Sequence, residues 1–387
     1  MENKELGIYI HIPFCKSKCY YCDFISYTNK ENYIEEYIKN IIEELKQYDL
    51  SNYNITTIYI GGGTPSFINE KYIVQLLRNL KTKLSNNQTN FENMEITIEI
   101  NPGTITKNKI EQYKKAGINR VSIGLQSTDN DLLKQIGRIH TYEEFLEAYE
   151  IIKEAGFENI NIDLMIGLPN QTIQMLKTTL EEIKKLNPAH ISVYSLIVEE
   201  NTKIEKMIEK GELQLPDENS ERQMYWYVKN TLELNGYKHY EISNFAKEGK
   251  QSKHNLNCWE QKEYIGLGAS AHSYLNNVRY SNSAFSNSAL SNSDFTNEED
   301  WNFNNKTIEE QQTSQDQKRE YMLLGLRKID GVSINQFKQK FIENPIYLFR
   351  KEIQKLVEEK LIEVDGDNIH LTNKGLDLAN LVWEEFI

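Results

Sequence analysis

Cysteine is scarce in this chain and unevenly distributed. Only four cysteines occur in 387 residues, and their spacing does not suggest a framework of disulfide bonds. So few cysteines are typical of a reducing compartment, and we expect a cytoplasmic location. Three of the four, Cys15, Cys19 and Cys22, nevertheless lie within eight positions of one another. Packing alone does not explain this clustering.

Two further absences narrow the class of protein. The chain has no run of about 18 apolar residues, so we expect no transmembrane segment. Residues 1–5 lack the charged and apolar regions of a signal peptide. Basic residues number 44 against 57 acidic ones, which gives a formal net charge of −13. Because an acidic chain repels a phosphate backbone, we expect no nucleic acid among its ligands.

The clustered cysteines have the spacing C-x3-C-x2-C, so one short loop can bring three thiolates around one metal centre. Structural zinc and iron–sulfur sites normally take all their ligands from the protein. Three cysteines leave one iron of a [4Fe–4S] cluster open to bind a substrate or cofactor. Two alternatives remain open at this point. His11, in a short apolar run that predicts a strand, would complete a Cys3His zinc site, or the cysteines are unconnected buried residues.

The sequence up to residue 197 alternates short apolar strands with helical patterns, and we count six strand–helix units. This alternation predicts an α/β fold with a parallel sheet and helices outside it, either open or closed into a barrel. Unusual residues fall where the strands end. Because the C-terminal ends of parallel strands share one edge, we expect these residues to line one pocket. They are the three cysteines, Gly61 to Pro65, Glu99 and Gln126, with Asp163 on the fifth strand.

Each of these residues has more than one interpretation. Three consecutive glycines, 61–63, suit either backbone recognition of an ammonium or phosphate group or a tight turn between strand and helix. Glu99 and Asp163 alternate with apolar neighbours, so they face the barrel interior and need a polar partner such as a ribose hydroxyl or an amine. Gln126 and Arg138 are weak signals individually, since an Arg after a helix usually lies on a solvated surface.

Together the motifs resemble one branch of the radical S-adenosylmethionine (SAM) superfamily, the oxygen-independent coproporphyrinogen III oxidases and the HemW-type heme chaperones. The resemblance covers about residues 7–387. It implies a partial (β/α)6 radical SAM barrel, open along one side, with a small C-terminal winged-helix-like helical module. The motifs that carry it include Tyr9-Ile-His-Ile-Pro-Phe-Cys, Gly-Gly-Gly-Thr-Pro, Glu-Ile-Asn-Pro, Arg-Val-Ser-Ile-Gly-Leu-Gln-Ser127, Gly-Arg-Ile-His140, Asn-Ile-Asp-Leu-Met-Ile-Gly-Leu-Pro169, Tyr240-Glu-Ile-Ser-Asn-Phe245 and Lys253-His-Asn-Leu-Asn-Cys-Trp259.

The resemblance also implies cofactors and their ligands. Cys15, Cys19 and Cys22 would hold a [4Fe–4S] cluster whose open iron chelates SAM. Arg138 becomes a carboxylate or substrate clamp, whereas no residue is assigned a catalytic role. Positions where the family contacts SAM are Tyr9, Tyr21, Gly62, Gly63, Thr64, Glu99, Gln126, Arg138 and Asp163.

His254 is the residue that the resemblance connects with heme. A His in a polar stretch is usually exposed and idle, but His254 lies in a His-Asn motif of the chaperone branch and so is a candidate axial ligand. Cys258 departs from the family pattern, which usually has Tyr there. Its thiolate is a second potential iron ligand, although we favour a small buried residue.

The predicted organisation has four parts. Residues 1–215 form the radical SAM core barrel with the cluster loop, and residues 216–280 form a barrel extension with the His-Asn motif. Residues 281–317 contain a Ser-Asn-Ser repeat in a polar stretch that predicts a loop or linker. Residues 318–387 form the winged-helix-like domain, for which we favour a lid over the barrel opening rather than DNA binding.

Two functions follow from the resemblance. The first is a heme chaperone that binds heme and transfers it to acceptor proteins, with respiratory, membrane-associated proteins among the candidates. The alternative is the oxygen-independent coproporphyrinogen III dehydrogenase, whose third ligand is characteristically followed by Cys-x-Cys. Here Cys22 is followed by Asp23 and Phe24, which favours the chaperone over that enzyme. A zinc or plain electron-transfer protein is the remaining alternative. An electron donor is implied, a homodimer is allowed, and cleavage of SAM stays open.

Overall fold

The computed structural model of the chain describes residues 4–85, 89–283 and 306–387. Its main feature is an open sheet of twelve strands, at whose centre six strands run parallel in chain order. This confirms the predicted α/β fold with a partial (β/α)6 barrel. The six central strands are β1 (Lys4–Ile12), β2 (Tyr53–Gly62), β3 (Glu95–Ile100), β4 (Arg120–Gln126), β5 (Asn159–Ile166) and β6 (His190–Ser195).

Helices cover the outer face of these strands, and most begin at a polar cap. The side chain of Thr141, for example, forms a capping box with Glu144 at the start of the fifth helix. Among the described residues, no helix is long and apolar enough to cross a bilayer. The helices of the barrel, up to residue 234, are α1 (Ile34–Gln47), α2 (Glu70–Leu84), α3 (Lys107–Ala116), α4 (Asn130–Gln135), α5 (Tyr142–Glu154), α6 (Ile173–Leu186), α7 (Lys203–Glu209) and α8 (Glu218–Leu234).

The two faces of the central strands carry different side chains. The outward face is aliphatic, and residues such as Ile8 and Ile10 are fully buried against the helices. The inward face is polar along almost its whole length. Closed (β/α)8 barrels normally fill this interior with branched apolar side chains. Here the interior is instead a set of hydrogen-bonding groups, so it is the part of the fold suited to a polar ligand. The inward polar residues are Tyr9, His11, Thr57, Tyr59, Glu95, Thr97, Glu99, Arg120, Ser122, Asn159, Asn161, Asp163, His190, Ser192 and Tyr194.

Further strands extend both edges of the open sheet. β9 pairs parallel with β1 and leads into an antiparallel set, whereas β8 pairs antiparallel with β6 at the other edge. A short helix, α9, lies between the two sets in the chain. These elements are β7 (Lys238–Glu241), β8 (Asn244–Ala246), α9 (Lys253–Trp259), β9 (Tyr264–Leu267), β10 (His272–Leu275), β11 (Val278–Asn282) and β12 (Lys306–Gln311).

The prediction of a loop or linker over 281–317 is wrong at its two ends. β11 extends to Asn282, and β12 pairs with β11 from Lys306 to Gln311. Every residue of β12 is exposed, so the strand has no apolar alternation and only its backbone pairing reveals it. An edge strand of polar residues is a common way to protect a sheet from further pairing. Apart from its first residues, 281–283, the Ser-Asn-Ser repeat lies outside the described residues.

The C-terminal module has its own apolar core and a three-stranded antiparallel sheet, as a winged-helix-like module requires. Its first helix begins at Ser314, four residues before the predicted boundary at 318, because Thr313 caps it. The elements are α10 (Ser314–Gly325), β13 (Val332–Ser333), α11 (Ile334–Phe341), α12 (Pro345–Leu348), α13 (Arg350–Glu358), β14 (Ile362–Asp365), β15 (Asn368–Leu371), α14 (Asn373–Asp377) and α15 (Ala379–Glu384).

This module contacts both edges of the open sheet. On one side, Glu320 of α10 pairs with Arg279 of β11 at 2.6 Å. On the other, the Ile329 amide donates to the Tyr240 carbonyl of β7 at 3.1 Å. The module therefore spans the gap along which the barrel is open.

Two glycines of this module allow a matched test of its packing. Gly331 and Gly366 both have positive φ angles, +71° and +57°, so an alanine pays a similar conformational cost of about 1 kcal/mol at either position. A Cβ at Gly331 would lie 2.0 Å from the Ile369 carbonyl oxygen, whereas a Cβ at Gly366 meets open space. We expect Gly331→Ala to lower the free energy of unfolding by roughly 2 kcal/mol more than Gly366→Ala in urea denaturation. Equal losses would contradict this packing.

Candidate functional site

The cysteine loop follows β1 and is fastened at both ends by backbone hydrogen bonds. The Cys15 amide donates to the Tyr27 carbonyl at 2.9 Å, and the Tyr27 amide donates to the Pro13 carbonyl at 2.7 Å. Phe14 points into the core, where its ring packs edge-on against Tyr37. The two ends of the loop are thus held together next to β1, and its cysteines lie at the C-terminal edge of the sheet.

The three thiols differ in burial but influence one another electrostatically. Cys15 is buried, and the Thr64 hydroxyl donates to its Sγ at 3.4 Å, while Cys19 and Cys22 are partly exposed. Burial, followed by the nearby charge of Cys19, raises the pKa of Cys22 to about 11. Burial also raises the pKa of Cys15, with Cys19 again contributing. A raised pKa keeps these thiols protonated at neutral pH, so binding of a metal centre here would displace their protons.

His11 does not complete a zinc site. Its Nε2 lies 2.9 Å from the Ile25 carbonyl oxygen, which can only accept, so Nε2 carries the proton. Its Nδ1 lies 2.9 Å from the Tyr9 hydroxyl, which therefore donates. Both ring nitrogens are engaged within the protein. In the described part of the chain, no three His, Cys, Asp or Glu side chains lie close enough together to hold a single metal ion. Three thiolates that bind different irons of one cluster do not need that arrangement.

The glycine loop after β2 lies directly against the cysteine loop. The amides of Gly63 and Thr64 donate to the carbonyls of Ile12 and Phe14, both at 2.9 Å. A Cβ at Gly63 would come within 2.9 Å of the Ile12 carbonyl oxygen, and Gly62 has a φ of +109°. The close approach of two backbones therefore explains the glycines on structural grounds alone. Recognition of a ligand by the same peptide groups stays a prediction.

Lys109 of α3 stabilises the segment that follows the glycine loop through hydrogen bonds to its backbone. The sequence analysis did not identify this residue. Its buried Nζ donates to the carbonyls of Ser66, Ile68 and Thr104 at 2.7, 3.1 and 3.0 Å. The loops after β2 and β3 are therefore fixed to each other. A buried lysine that donates to backbone carbonyls has no sequence signature of its own.

Glu99 faces the interior as predicted and is held by two donors. The Tyr59 hydroxyl donates to one carboxylate oxygen at 2.8 Å, and the Gly62 amide donates to the other at 3.0 Å. Burial raises the pKa of Glu99 to about 7, although both hydrogen bonds act in the opposite direction. The carboxylate thus titrates near neutral pH. Tyr59 was also missed, although it alternates along β2 onto the same face.

Asp163 occupies the matching position on β5. Ser122 donates to one of its oxygens at 3.0 Å, and the Asn161 amide donates to the other at 2.7 Å. Burial raises the pKa of Asp163, while these hydrogen bonds act to lower it. From Asn161 the network continues through His190, at 2.6 Å, to the Tyr240 hydroxyl, at 2.8 Å from the other ring nitrogen. His190 is a further residue that the sequence analysis missed.

Arg138 is half-buried beside Cys19 of the cysteine loop rather than fully solvated. One guanidinium nitrogen donates to the Gly124 carbonyl at 2.6 Å, and another lies 3.6 Å from Cys19 Sγ. Gln126, which is buried, has a φ of +73° at the bulge that ends β4. Burial raises the pKa of Tyr21, which interacts with Arg138 and Cys19. Of the predicted SAM contacts, Tyr21, Thr64 and Arg138 therefore lie directly at the cysteines, and Glu99 is connected to the adjacent glycine loop through Gly62.

His254 lies elsewhere, near the N-terminal ends of the strands. It is 8% exposed, its Nδ1 is 2.9 Å from the Thr57 hydroxyl, and its ring stacks on Tyr59 with centroids 5.1 Å apart. The carboxylate of Glu95 accepts hydrogen bonds from the amides of Lys253 and His254, both at 3.1 Å. The exposed side chain that the polar sequence around His254 suggests is therefore not observed. Burial lowers the pKa of His254 to about 4, so its imidazole is neutral.

Comparison with known proteins identifies the family. Residues 9–183 match the radical SAM superfamily, and residues 312–378 match the HemN C-terminal domain. The heme chaperone HemW of Lactococcus lactis is 38% identical over 387 residues, which cover 100% of this chain and 98% of that protein. The heme chaperone HemW of Bacillus subtilis is 37% identical over 386 residues, which cover 98% of each chain.

The solved structure of coproporphyrinogen III oxidase (HemN) from Escherichia coli superposes with a TM-score of 0.82 at 22% identity. It covers 100% of this chain and 91% of that one. At this identity the likeness shows a common fold, including the C-terminal module. The relatives that match over the full length carry the closer relationship, so the chain belongs to the HemW family of the radical SAM superfamily.

Proposed function

We propose that this protein is a heme chaperone that binds SAM at a [4Fe–4S] cluster and transfers heme to acceptor proteins. The observation that carries the proposal is the full-length identity of 38% to a heme chaperone, since it includes both the cysteine loop and the C-terminal module. The Asp23-Phe24 sequence after Cys22 supports it, because the decarboxylating enzymes characteristically have Cys-x-Cys there. Its location in the cytoplasm and an electron donor for the cluster belong to the same proposal.

The residues at the C-terminal edge fit the cofactors of the superfamily. Cys15, Cys19 and Cys22 would hold the cluster, which supplies the electron for cleaving SAM when both are bound. Arg138 is placed beside Cys19, where its positive charge stabilises thiolate ligands and a ligand's carboxylate. Glu99 is oriented by Tyr59 to accept hydrogen bonds from a ribose or an amine.

The other proposed SAM contacts complete this pocket with backbone and small polar groups. Gly62, Gly63 and Thr64 present peptide groups next to the cysteine loop, and Thr64 also orients Cys15 through its hydroxyl. Gln126 is the last residue of β4, and Asp163 lies within the neighbouring strand β5. We assign no catalytic residue to this chain.

His254 is the proposed heme ligand. A metal-binding imidazole usually donates its second N–H to a protein acceptor, which fixes the ring. The Thr57 hydroxyl is placed to accept from Nδ1, which leaves Nε2 for the iron. The neutral state of the ring at physiological pH suits this role, because only an unprotonated nitrogen can bind a metal. Cys258 is the weaker candidate, since burial raises the pKa of its thiol to about 11.

The function is tested with two assays on the anaerobically reconstituted protein. Titration with heme should give a saturable change in the Soret absorbance, and the loaded protein should pass heme to an apo-acceptor such as apomyoglobin. Incubation with SAM, a reductant and coproporphyrinogen III should leave the porphyrinogen unchanged on chromatography. The appearance of a doubly decarboxylated product would instead make this protein an enzyme of heme synthesis.

His254 is tested in the same titration against a matched histidine. We expect His254→Ala to weaken heme binding by about tenfold or more. His272→Ala is the control, because His272 is exposed on β10 and paired with Glu309. Equal affinities in the two variants would remove His254 from the heme site while leaving the chaperone function to be judged by the wild-type protein.

The cluster ligands are tested by replacing each cysteine in turn. Cys15→Ala, Cys19→Ala and Cys22→Ala should each lose the iron–sulfur absorbance near 400 nm after anaerobic reconstitution, because an iron loses its only protein ligand. Cys258→Ala should retain iron and sulfide at the wild-type level. A variant of the loop that keeps full absorbance would contradict the assignment of that cysteine.

Glu99 should make SAM binding depend on pH. Because the pKa of Glu99 is about 7, its carboxylate is mostly ionised at pH 8 and mostly neutral at pH 6. If the ionised form accepts the ligand's hydrogen bonds, the affinity for SAM should fall about tenfold per pH unit below pH 7. Equilibrium dialysis with labelled SAM measures this, with cluster absorbance followed at each pH. Glu99→Gln should bind more weakly and show no such dependence, and a flat wild-type profile would contradict the role.

A further inference from the structure

Arg120 is a charged residue of the polar interior that the site described above leaves unexplained. It is the first residue of β4, faces inward and is 2% exposed. Its Nε is buried without a hydrogen-bond partner. No carboxylate forms an ion pair with it among residues 4–85, 89–283 and 306–387. A buried guanidinium with these properties is costly unless another group neutralises it.

The inward residues on either side of Arg120 are unsatisfied as well. Thr97 of β3 and Asn159 of β5 are its direct neighbours in the sheet register. The hydroxyl oxygen of Thr97 and the amide oxygen of Asn159 are both buried without a partner. The orientation of an Asn amide is an assignment, so rotation by 180° presents its N–H2 group instead. Three adjacent positions at one level of the sheet can thus offer hydrogen-bond donors.

The carboxylates of Glu99 and Asp163 interact with the charge of Arg120 at longer range, and neither forms an ion pair with it. Glu99 accepts from Tyr59 and Gly62, and Asp163 accepts from Ser122 and Asn161. The surrounding imidazoles, His190 and His254, are neutral, because burial and then the charge of Arg120 lower their pKa values. Near Arg120, therefore, no group of the described chain supplies the missing negative charge at contact distance.

We propose that Thr97, Arg120 and Asn159 form a binding site for a carboxylate group. A guanidinium binds a carboxylate through two parallel hydrogen bonds, and this pairing retains its strength where water is excluded. The site lies near the N-terminal ends of the strands, on the same side as His254 and away from the cysteine loop. The carboxylate belongs either to a small free acid or to an arm of a larger ligand, and the propionates of heme fit the second description. This last assignment rests on the proposed function.

Propionate is the probe that tests the site itself. Sodium propionate should raise the melting temperature of the reconstituted full chain by about 2 °C at ten times its dissociation constant, relative to sodium chloride at equal ionic strength. Arg120→Met, which has a similar length and no charge, should abolish the shift. Arg120→Lys keeps the charge on a single donor group and should bind propionate about tenfold more weakly, which preserves the test if the Met variant does not fold.

Arg327→Met is the matched control. Arg327 also has a buried and unpaired Nε, but its guanidinium stacks on the rings of Trp259 and Trp383 at 4.4 and 4.7 Å. The control should therefore melt earlier than the wild type and still respond to propionate. A propionate shift that is absent in the wild type, or that is the same in wild type and Arg120→Met, would overturn the site.

Heme and its dimethyl ester distinguish the two sources of the carboxylate. If the site takes a propionate of heme, Arg120→Met should weaken heme binding without changing the affinity for the ester. The alternative outcome is that wild type and Arg120→Met bind heme with equal affinity, while propionate raises the melting temperature of the wild type alone. This outcome identifies a free carboxylic acid as the ligand. Failure of the wild-type protein to bind heme contradicts the proposed function, whereas the propionate result stands or falls separately.

Discussion

A polar barrel interior must satisfy its hydrogen bonds internally or leave them to a ligand, and this constraint governs the structure. Buried polar groups without partners cost free energy, so they are rare in folded proteins. Around Glu99 and Asp163 the six strands meet the requirement with side chains from neighbouring strands. The groups left over are few and occur at defined levels of the barrel. These unpaired polar groups indicate the position of a bound ligand more directly than the shape of the barrel interior does.

The same network connects the two ends of the barrel. At the C-terminal edge, the Gly62 amide links Glu99 to the loop that supports the cysteines. Tyr59 donates to that carboxylate and stacks on His254, which lies near the opposite edge. Tyr59 therefore contacts both the proposed SAM pocket and the proposed heme ligand.

The sequence predicts the central part of this protein well, because local signals and global fold agree there. Outward aliphatic residues alternate with inward polar ones, which reveals the six strands and the side that faces the ligands. The prediction is poorer where an element depends on its neighbours. β12 has no apolar face and exists only as a partner of β11, and Arg138 has the local context of a surface residue although tertiary packing half-buries it beside Cys19. His254 likewise lies in a polar stretch, and only the packing of α9 under the sheet buries its ring.

The two inward or site-facing arginines show how the protein uses the same side chain in two ways. Arg138 has a carbonyl and a thiol as partners before any ligand arrives, so its position is fixed by the protein and its charge serves the cysteine loop. Arg120 shares the charge and an unpaired Nε, but it is more deeply buried, and no carbonyl or thiol is hydrogen-bonded to it within the described residues. A fixed arginine organises a site in advance, whereas an unpaired one gains most from its ligand because binding removes the cost of burial. The free energy that Arg120 costs the unliganded fold is therefore recovered as affinity for a carboxylate.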